Sequence, residues 1–198
     1  GHINAVGAGF NVNIGTTQLA AGHALSGHVV GPGNVPKQNV NINVVDAVTR
    51  VALRLAHDDT DAAGNFTVVV PAGTFDVQYD PPGCSGLAPT SQNQVTVAAP
   101  LALPTLTMTP GVSAQGSVVG TLSAPVPNVD LDFYPAGTTT KIYTPNDQTA
   151  ADGTYSTVVP TGTYDIRYIP SSLTRYRPFE RTGVALNGIR TGRRDTAP

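Results

Sequence analysis

The chain has no tryptophan, one methionine and one cysteine in 198 residues. Cys84 stands alone, which excludes an intrachain disulfide and any CxxC metal or redox site, and leaves the redox compartment open. Charged residues make up 12%, about half the usual share. Lys37 and Lys141 are the only lysines. The net charge of −2 argues against a general nucleic-acid binder. No apolar run is long enough to span a membrane, and no signal-peptide pattern opens the chain. Gly1-His2 reads as a cloning remnant, and the whole as a fragment of a longer protein. Good helix-forming stretches are scarce. What is plentiful is turn and strand chemistry: 21 Gly, 17 Pro, and frequent Thr, Val and Asn, with 40% hydrophobic residues, enough for a globular core.

Sliding the chain along itself by 89 residues makes it match itself without a gap. Gly27-His28-Val29-Val30-Gly31 falls on Gly116-Ser117-Val118-Val119-Gly120. Asn39–Val44 falls on Asn128–Phe133, and Ala63–Tyr79 on Asp152–Tyr168. The chain is therefore two copies of a unit of small-domain size. Apolar alternation and turn signals predict seven short strands in the first copy: 24–30, 40–45, 51–56, 65–70, 74–79, 94–97 and 103–108. Strands 65–70 and 74–79 are expected to form a hairpin across Pro71-Ala72-Gly73. The second copy repeats the order at 115–119, 129–134, 141–143, 155–159, 163–168 and 184–186, with Val129, Leu131, Phe133, Tyr155, Val159, Tyr164 and Ile166 facing inward. Such spacing predicts β-sandwiches. The expected domains are 1–109, carrying an extra leading strand at about 10–21, and 110–198, ending in a polar tail. That leading segment resembles the closing strand of an earlier copy, since Val12-Asn13-Ile14 aligns with Leu101-Ala102-Leu103. The segment that should close the second copy, 190–198, is a poor strand. A short linker predicts an end-to-end rod with limited flexing.

The order Gly-x-Val-x-Gly, Pro-x-x-Asn-Val-x-Leu/Ile, Asp-x-x-Gly-x-Phe/Tyr and Val-Pro-x-Gly-Thr-Tyr-Asp-Ile resembles the carboxypeptidase regulatory-like domain family. It is carried by Gly27–Gly31, Val35–Val44, Asp61–Phe66 and Val70–Val77, and again by Gly116–Gly120, Pro125–Phe133, Asp152–Tyr155 and Val159–Ile166. The resemblance implies an all-β fold of two tandem seven-stranded Greek-key sandwiches of the transthyretin-like (prealbumin-like) type, related to Cna-B modules. It carries no function by itself. Some Cna-B modules hold a Lys–Asn isopeptide bond that needs a Lys on the first core strand. Residues 24–30 and 113–119 contain none, so no such bond is expected.

In a duplicated chain, a residue that carries chemistry should either recur in both copies or have a reason to stand in one. No Gly-x-Ser-x-Gly elbow occurs, and His23, His28 and His57 align with Val112, Ser117 and Asn146. Intradiol dioxygenases resemble the same sandwich and bind iron through Tyr and His. Here the histidines lie in copy one and the tyrosines mainly in copy two, so no catalytic residue, cofactor or enzymatic role is expected. Asp58-Asp59-Thr60-Asp61 before Gly64 is a candidate Ca²⁺ turn through Asp59 and Asp61, although its spacing is not that of an EF-hand, and a solvated acidic turn is the simpler reading. The sharpest asymmetry is a basic-aromatic patch confined to copy two: Arg167, Arg175, Tyr176, Arg177 and Arg181, with Phe179 among them. Guanidinium forks bind carboxylate or sulfate, and tyrosine faces stack on sugars. The expected function is a non-catalytic spacer or adhesion module of a larger bacterial cell-surface or secreted protein, partnered by neighbouring domains of that chain. The alternative is a carbohydrate- or protein-binding accessory module that meets polysaccharide or an acidic protein through this patch.

Overall fold

The computed structural model of the protein describes residues 15–188. Among them there is no α-helix, only single 3-10 turns at Pro32–Asn34 and Thr121–Ser123, which the 89-residue shift superposes. The first repeat contains β1 (His23–Val30), β2 (Asn41–Asp46), β3 (Asn65–Val70), β4 (Gly73–Asp80), β5 (Thr90–Val97), β6 (Leu101–Ala102) and β7 (Leu106–Thr107). The second contains β8 (Gly111–Ser117), β9 (Asp130–Pro135), β10 (Thr154–Pro160), β11 (Gly162–Ile169) and β12 (Phe179–Leu186).

Each repeat is a β-sandwich. In the first, a sheet with β1 between β3 and the parallel pair β6/β7 faces a sheet ordered β2-β4-β5. In the second, β10-β8 faces β12-β11-β9. Alternation accounts for the interior. Phe66, Val68 and Val70 of β3 and Leu25 and Val29 of β1 meet Ile42, Val44, Phe75, Val77 and Tyr79 from the other sheet. A second cluster joins Val129, Leu131, Phe133, Val159, Tyr164 and Ile166, with Tyr155 partly buried against it, so all seven expected inward positions pack on this core.

Three expectations change. β3 and β4 are not a hairpin: β3 pairs with β1, and β4 with β2 and β5, so Pro71-Ala72 turns the chain from one sheet to the other. Proline removes a ladder donor, which suits such a corner. Residues 51–56 form no strand. They run beside β2 through one bridge, Val45 to Ala52, and a Leu53 N–H bond to the Val44 carbonyl of 2.8 Å. Residues 141–143 likewise form no strand and touch β9 through the Ile142 N–H on the Phe133 carbonyl at 2.9 Å. The closing strand of the first repeat is split in two around Pro104. The expected strand at 10–21 falls largely outside the described residues, and 15–21 carry no strand. The tail 190–198, with Arg190, Arg193 and Arg194, also lies outside them.

The duplicated motifs have mechanical roles. Gly64 and Gly153 sit at φ 80° and 75°, and a Cβ on either would come within 2.5 Å of the Val29 carbonyl oxygen or 2.6 Å of that of Val118. Asp76 and Asp165 each plug a β-bulge: their carboxylates accept the N–H of Gln94 and of Gly183, both at 2.9 Å.

Candidate functional site

Among the described residues, two places gather side chains that the repeat mostly does not duplicate. The first is a groove of about 460 Å³ in the second repeat. Its floor is aromatic. Tyr155 on β10 meets Tyr168 on β11 edge-on at 6.2 Å, their hydroxyls 3.3 Å apart, and Phe179 on β12 lies 6.2 Å from Tyr168. Tyr176 roofs one end, its ring on Gly120 and its hydroxyl oxygen accepting the Thr121 N–H at 3.3 Å. A Cβ at residue 120 would fall 2.0 Å from that hydroxyl, so glycine is required for the contact. Arg177 and Arg181 complete the rim. Burial pushes the Tyr155 phenol up, aided by Tyr168, so it stays a neutral hydrogen-bonding group.

The structure divides the expected patch. Tyr176, Arg177 and Arg181 line this groove. Arg167 does not: it points from the outer face of β11, with its Nε 3.4 Å from Glu180 Oε1 and its guanidinium 4.5 Å over the Tyr134 ring. Glu180 and the ring together raise its pKa. Arg175 is exposed and is not among the groove's lining residues. The groove can stack a flat apolar face and offer two guanidinium groups to an anion.

The second place is the junction between repeats. The Tyr143 hydroxyl donates to Asp80 Oδ2 at 2.9 Å, and Asn43 Nδ2 donates to the same oxygen at 2.9 Å. Asp80 Oδ1 is buried with no partner. Burial therefore holds the Asp80 carboxyl above the usual carboxylate range, against the two hydrogen bonds that lower it. Burial and the facing carboxylate also push the Tyr143 phenol up. Next to them a polar cleft of about 540 Å³ separates the Arg50–Asp76 ion pair from Lys141, which pairs with Asp132 and Asp147. The linker is tied down as well. The Ala88 N–H bonds the Thr109 carbonyl and the Gly111 N–H the Gly86 carbonyl, each at 2.9 Å, and Leu87 bridges Pro110. A Cβ on Gly111 would meet the Ala88 nitrogen at 2.9 Å, so glycine lets the linker lie against the first repeat.

Residue-type reasoning did not single out Asp80 or Tyr143. The copy comparison contained the signal, since Asp80 aligns with Ile169 and Tyr143 with Arg54. The candidate calcium turn lies at the start of β3. Asp61 Oδ1 accepts the Ala63 and Asn65 N–H groups at 2.9 and 2.8 Å, which lowers its pKa, and Asp59 is exposed beside it. His28 Nε2 lies 3.0 Å from the Ala63 carbonyl oxygen, a turn contact.

No protein-family model matches the chain, and no curated protein matches it. Solved structures do. The Bacillus anthracis TIE protein is 14% identical over 85% of this chain and 32% of its own, with a TM-score of 0.35. A streptococcal ancillary pilin is 14% identical over 89% of this chain and 60% of its own, at 0.36. The shaft pilin spaA from Lactobacillus rhamnosus GG is 7% identical over 84% and 95%, at 0.33. This chain thus spans about a third of the first protein's length and 60% of the second's.

Proposed function

We propose that the chain is a non-catalytic pair of carboxypeptidase regulatory-like β-sandwich domains, 1–109 and 110–198, serving as a stiff spacer or adhesion module of a larger bacterial surface or secreted protein. The junction carries this reading. A flexible tether needs no specific contacts, whereas here the linker is hydrogen-bonded at Ala88 and Gly111, and Tyr143 clasps Asp80. Neither Asp80 nor Tyr143 is duplicated, so these side chains serve the joint rather than the fold of a repeat. Backbone ¹⁵N relaxation tests it. One rotational correlation time for both repeats is the expected result, and two independent times would overturn the spacer reading.

A second reading is supported by the groove: an accessory binding module for anionic polysaccharide or an acidic protein segment. Tyr155, Tyr168 and Phe179 offer stacking faces, and Arg177 and Arg181 offer anion contacts. A binding screen against neutral and anionic polysaccharides at two salt concentrations checks it. Salt-sensitive binding lost in Arg177→Ala/Arg181→Ala but kept in Arg175→Ala is the expected pattern. Equal binding by all three proteins would remove the groove as the site.

A further inference from the structure

The outer faces of the two equivalent sheets differ in how their polar side chains are satisfied. In the second repeat Arg167 of β11 pairs with Glu180 of β12 and lies over the Tyr134 ring of β9. The matching residues of the first repeat are Gln78, Ser91 and Val45. Gln78 and Ser91 stand opposite each other on β4 and β5. Among the described residues, the side chains of Gln78, Ser91, Asn93 and Gln94 hydrogen-bond to no protein group, and all four line the cleft of about 540 Å³ at the junction.

Asn93 and Gln94 are neighbours, and strict alternation would send them to opposite faces of β5. The bulge opposite Asp76 brings both to the cleft. It does so with Gln94 at φ 59°, in the left-handed region that disfavours a side chain. The second repeat has Gly183 at the matching position, at φ 66°. The first repeat thus keeps a glutamine where the backbone favours glycine, and backbone strain of this kind collects at binding sites. The far wall is equally unduplicated. Lys141, Tyr143 and Thr144 stand where the first copy has Ala52, Arg54 and Leu55. The Tyr143 hydroxyl is committed to Asp80, so its ring is what it offers the cleft.

We propose that this cleft binds a neutral saccharide, held between β4 and β5 of the first repeat and residues 141–144 of the second. A sugar hydroxyl is both donor and acceptor, and so is a carboxamide or a serine hydroxyl. Three carboxamides and one hydroxyl on one wall therefore match a row of sugar hydroxyls, with the Tyr143 ring opposite as an apolar face. The charges favour a neutral ligand. The ionised lining groups are two cations and two anions, and each is already paired: Arg50 with Asp76, and Lys141 with Asp132 and, at 3.6 Å, with Asp147. An anion would have to displace a carboxylate to reach either cation. The volume lies within the range of small-ligand sites, about 300–1,000 Å³. This site rests on the spacer reading only in that its two walls are held together, and it shares no residue with the aromatic groove.

Titration of the whole chain with cellohexaose, xylohexaose, mannohexaose and maltohexaose up to millimolar concentration, followed by its backbone ¹H–¹⁵N shifts, tests the site. At least one of these probes is expected to shift the amides of residues 91–94 and of residues 141–144 together, with an affinity that does not change between two salt concentrations. Gln78→Ala/Asn93→Ala should weaken binding about 10-fold or more, the order set by two lost hydrogen bonds. Gln94→Gly separates binding from folding. It relieves the left-handed backbone, so its urea midpoint should hold or rise while its affinity for the same saccharide falls about 5-fold. Three results would each sink the proposal: no shift with any of the four probes, shifts on one wall alone or at Tyr155 and Tyr168 instead, or a Gln94→Gly chain that binds as tightly as the wild type. A single correlation time with no shift removes the site and leaves the spacer reading. Two correlation times remove the spacer reading whatever the shifts show.

Discussion

At the scale of single residues, duplication separates structural roles from other roles. Thr60 and Thr149 match under the 89-residue shift, and both are buried. Each hydroxyl joins two backbone groups that no strand satisfies. Thr60 accepts the Val40 N–H at 2.9 Å and donates to the Lys37 carbonyl at 2.6 Å; Thr149 accepts the Val129 N–H at 2.9 Å and donates to the Val126 carbonyl at 2.8 Å. Valine has nearly the shape of threonine but neither the donor nor the acceptor. Thr149→Val therefore leaves a buried N–H and a buried carbonyl unpaired, at about 1–3 kcal/mol for each group. Urea denaturation should show a loss of about 2–6 kcal/mol in the second repeat, and Thr149→Ser should recover most of it by restoring the hydroxyl. A loss no larger than in Thr149→Ser would mean that the hydroxyl bonds contribute nothing net.

At the scale of elements, the strands with strict alternation were legible in the sequence and those held by context were not. Asn41–Asp46 and Asn65–Val70 form where the period of two is clean. Residues 51–56, Val-Ala-Leu-Arg-Leu-Ala, alternate as well, yet they only lean on β2 because positive φ at Arg50 and His57 bends the chain away at both ends. Pairing partners were less legible still, since nothing local tells a hairpin from a sheet-crossing corner at Pro71. The groove was half visible. Its cationic rim is legible in the asymmetry between the copies, but of its floor the alternation places only Tyr155, and as an inward position, while Tyr168 is not singled out; the matching Phe66 and Tyr79 of copy one are fully core. The joint was invisible to any scan for catalytic or ligand motifs. Its chemistry nevertheless predicts a pH dependence. Asp80 has a raised pKa in the folded chain, so the native state holds its proton more tightly than the unfolded state does. Stability from this group is fully present below the ordinary carboxylate value of about 4 and is lost as pH rises through the raised folded value. Asp61 and Asp152 run the other way, their pKa values lowered by turn hydrogen bonds, and they remain in both proteins compared. The stability of Asp80→Asn relative to the wild type should therefore grow as pH rises from about 4 and then level off. A difference that is flat between pH 4 and pH 8 would assign Asp80 an ordinary, solvated carboxyl.

At the scale of the whole molecule, what matters is how one sandwich is held to the next. Two modules joined by a few residues move independently unless the contact is specific, and the specific contacts here are few enough to remove one at a time. The linker bonds at Ala88 and Gly111 are backbone to backbone and do not involve the side chains of Tyr143 or Asp80. The clasp is not: it depends on one phenol hydroxyl reaching one carboxylate across the joint. Tyr143→Phe keeps the ring and its packing and deletes only that donor. Asp80 Oδ2 then keeps Asn43 alone, while Oδ1 is already without a partner. A buried carboxylate that loses one of two donors is penalised more than the phenol gains by being gone, so the joint should open towards water to solvate it. The repeats themselves, whose cores lie on either side, should keep their own melting behaviour. The expected outcome is a variant whose repeats still fold but whose ¹⁵N relaxation shows faster, partly independent tumbling, with the gap to the wild type narrowing at low pH, where a protonated Asp80 no longer needs the donor. If Tyr143→Phe tumbles as the wild type does at every pH, the clasp contributes nothing to how the two repeats are held together.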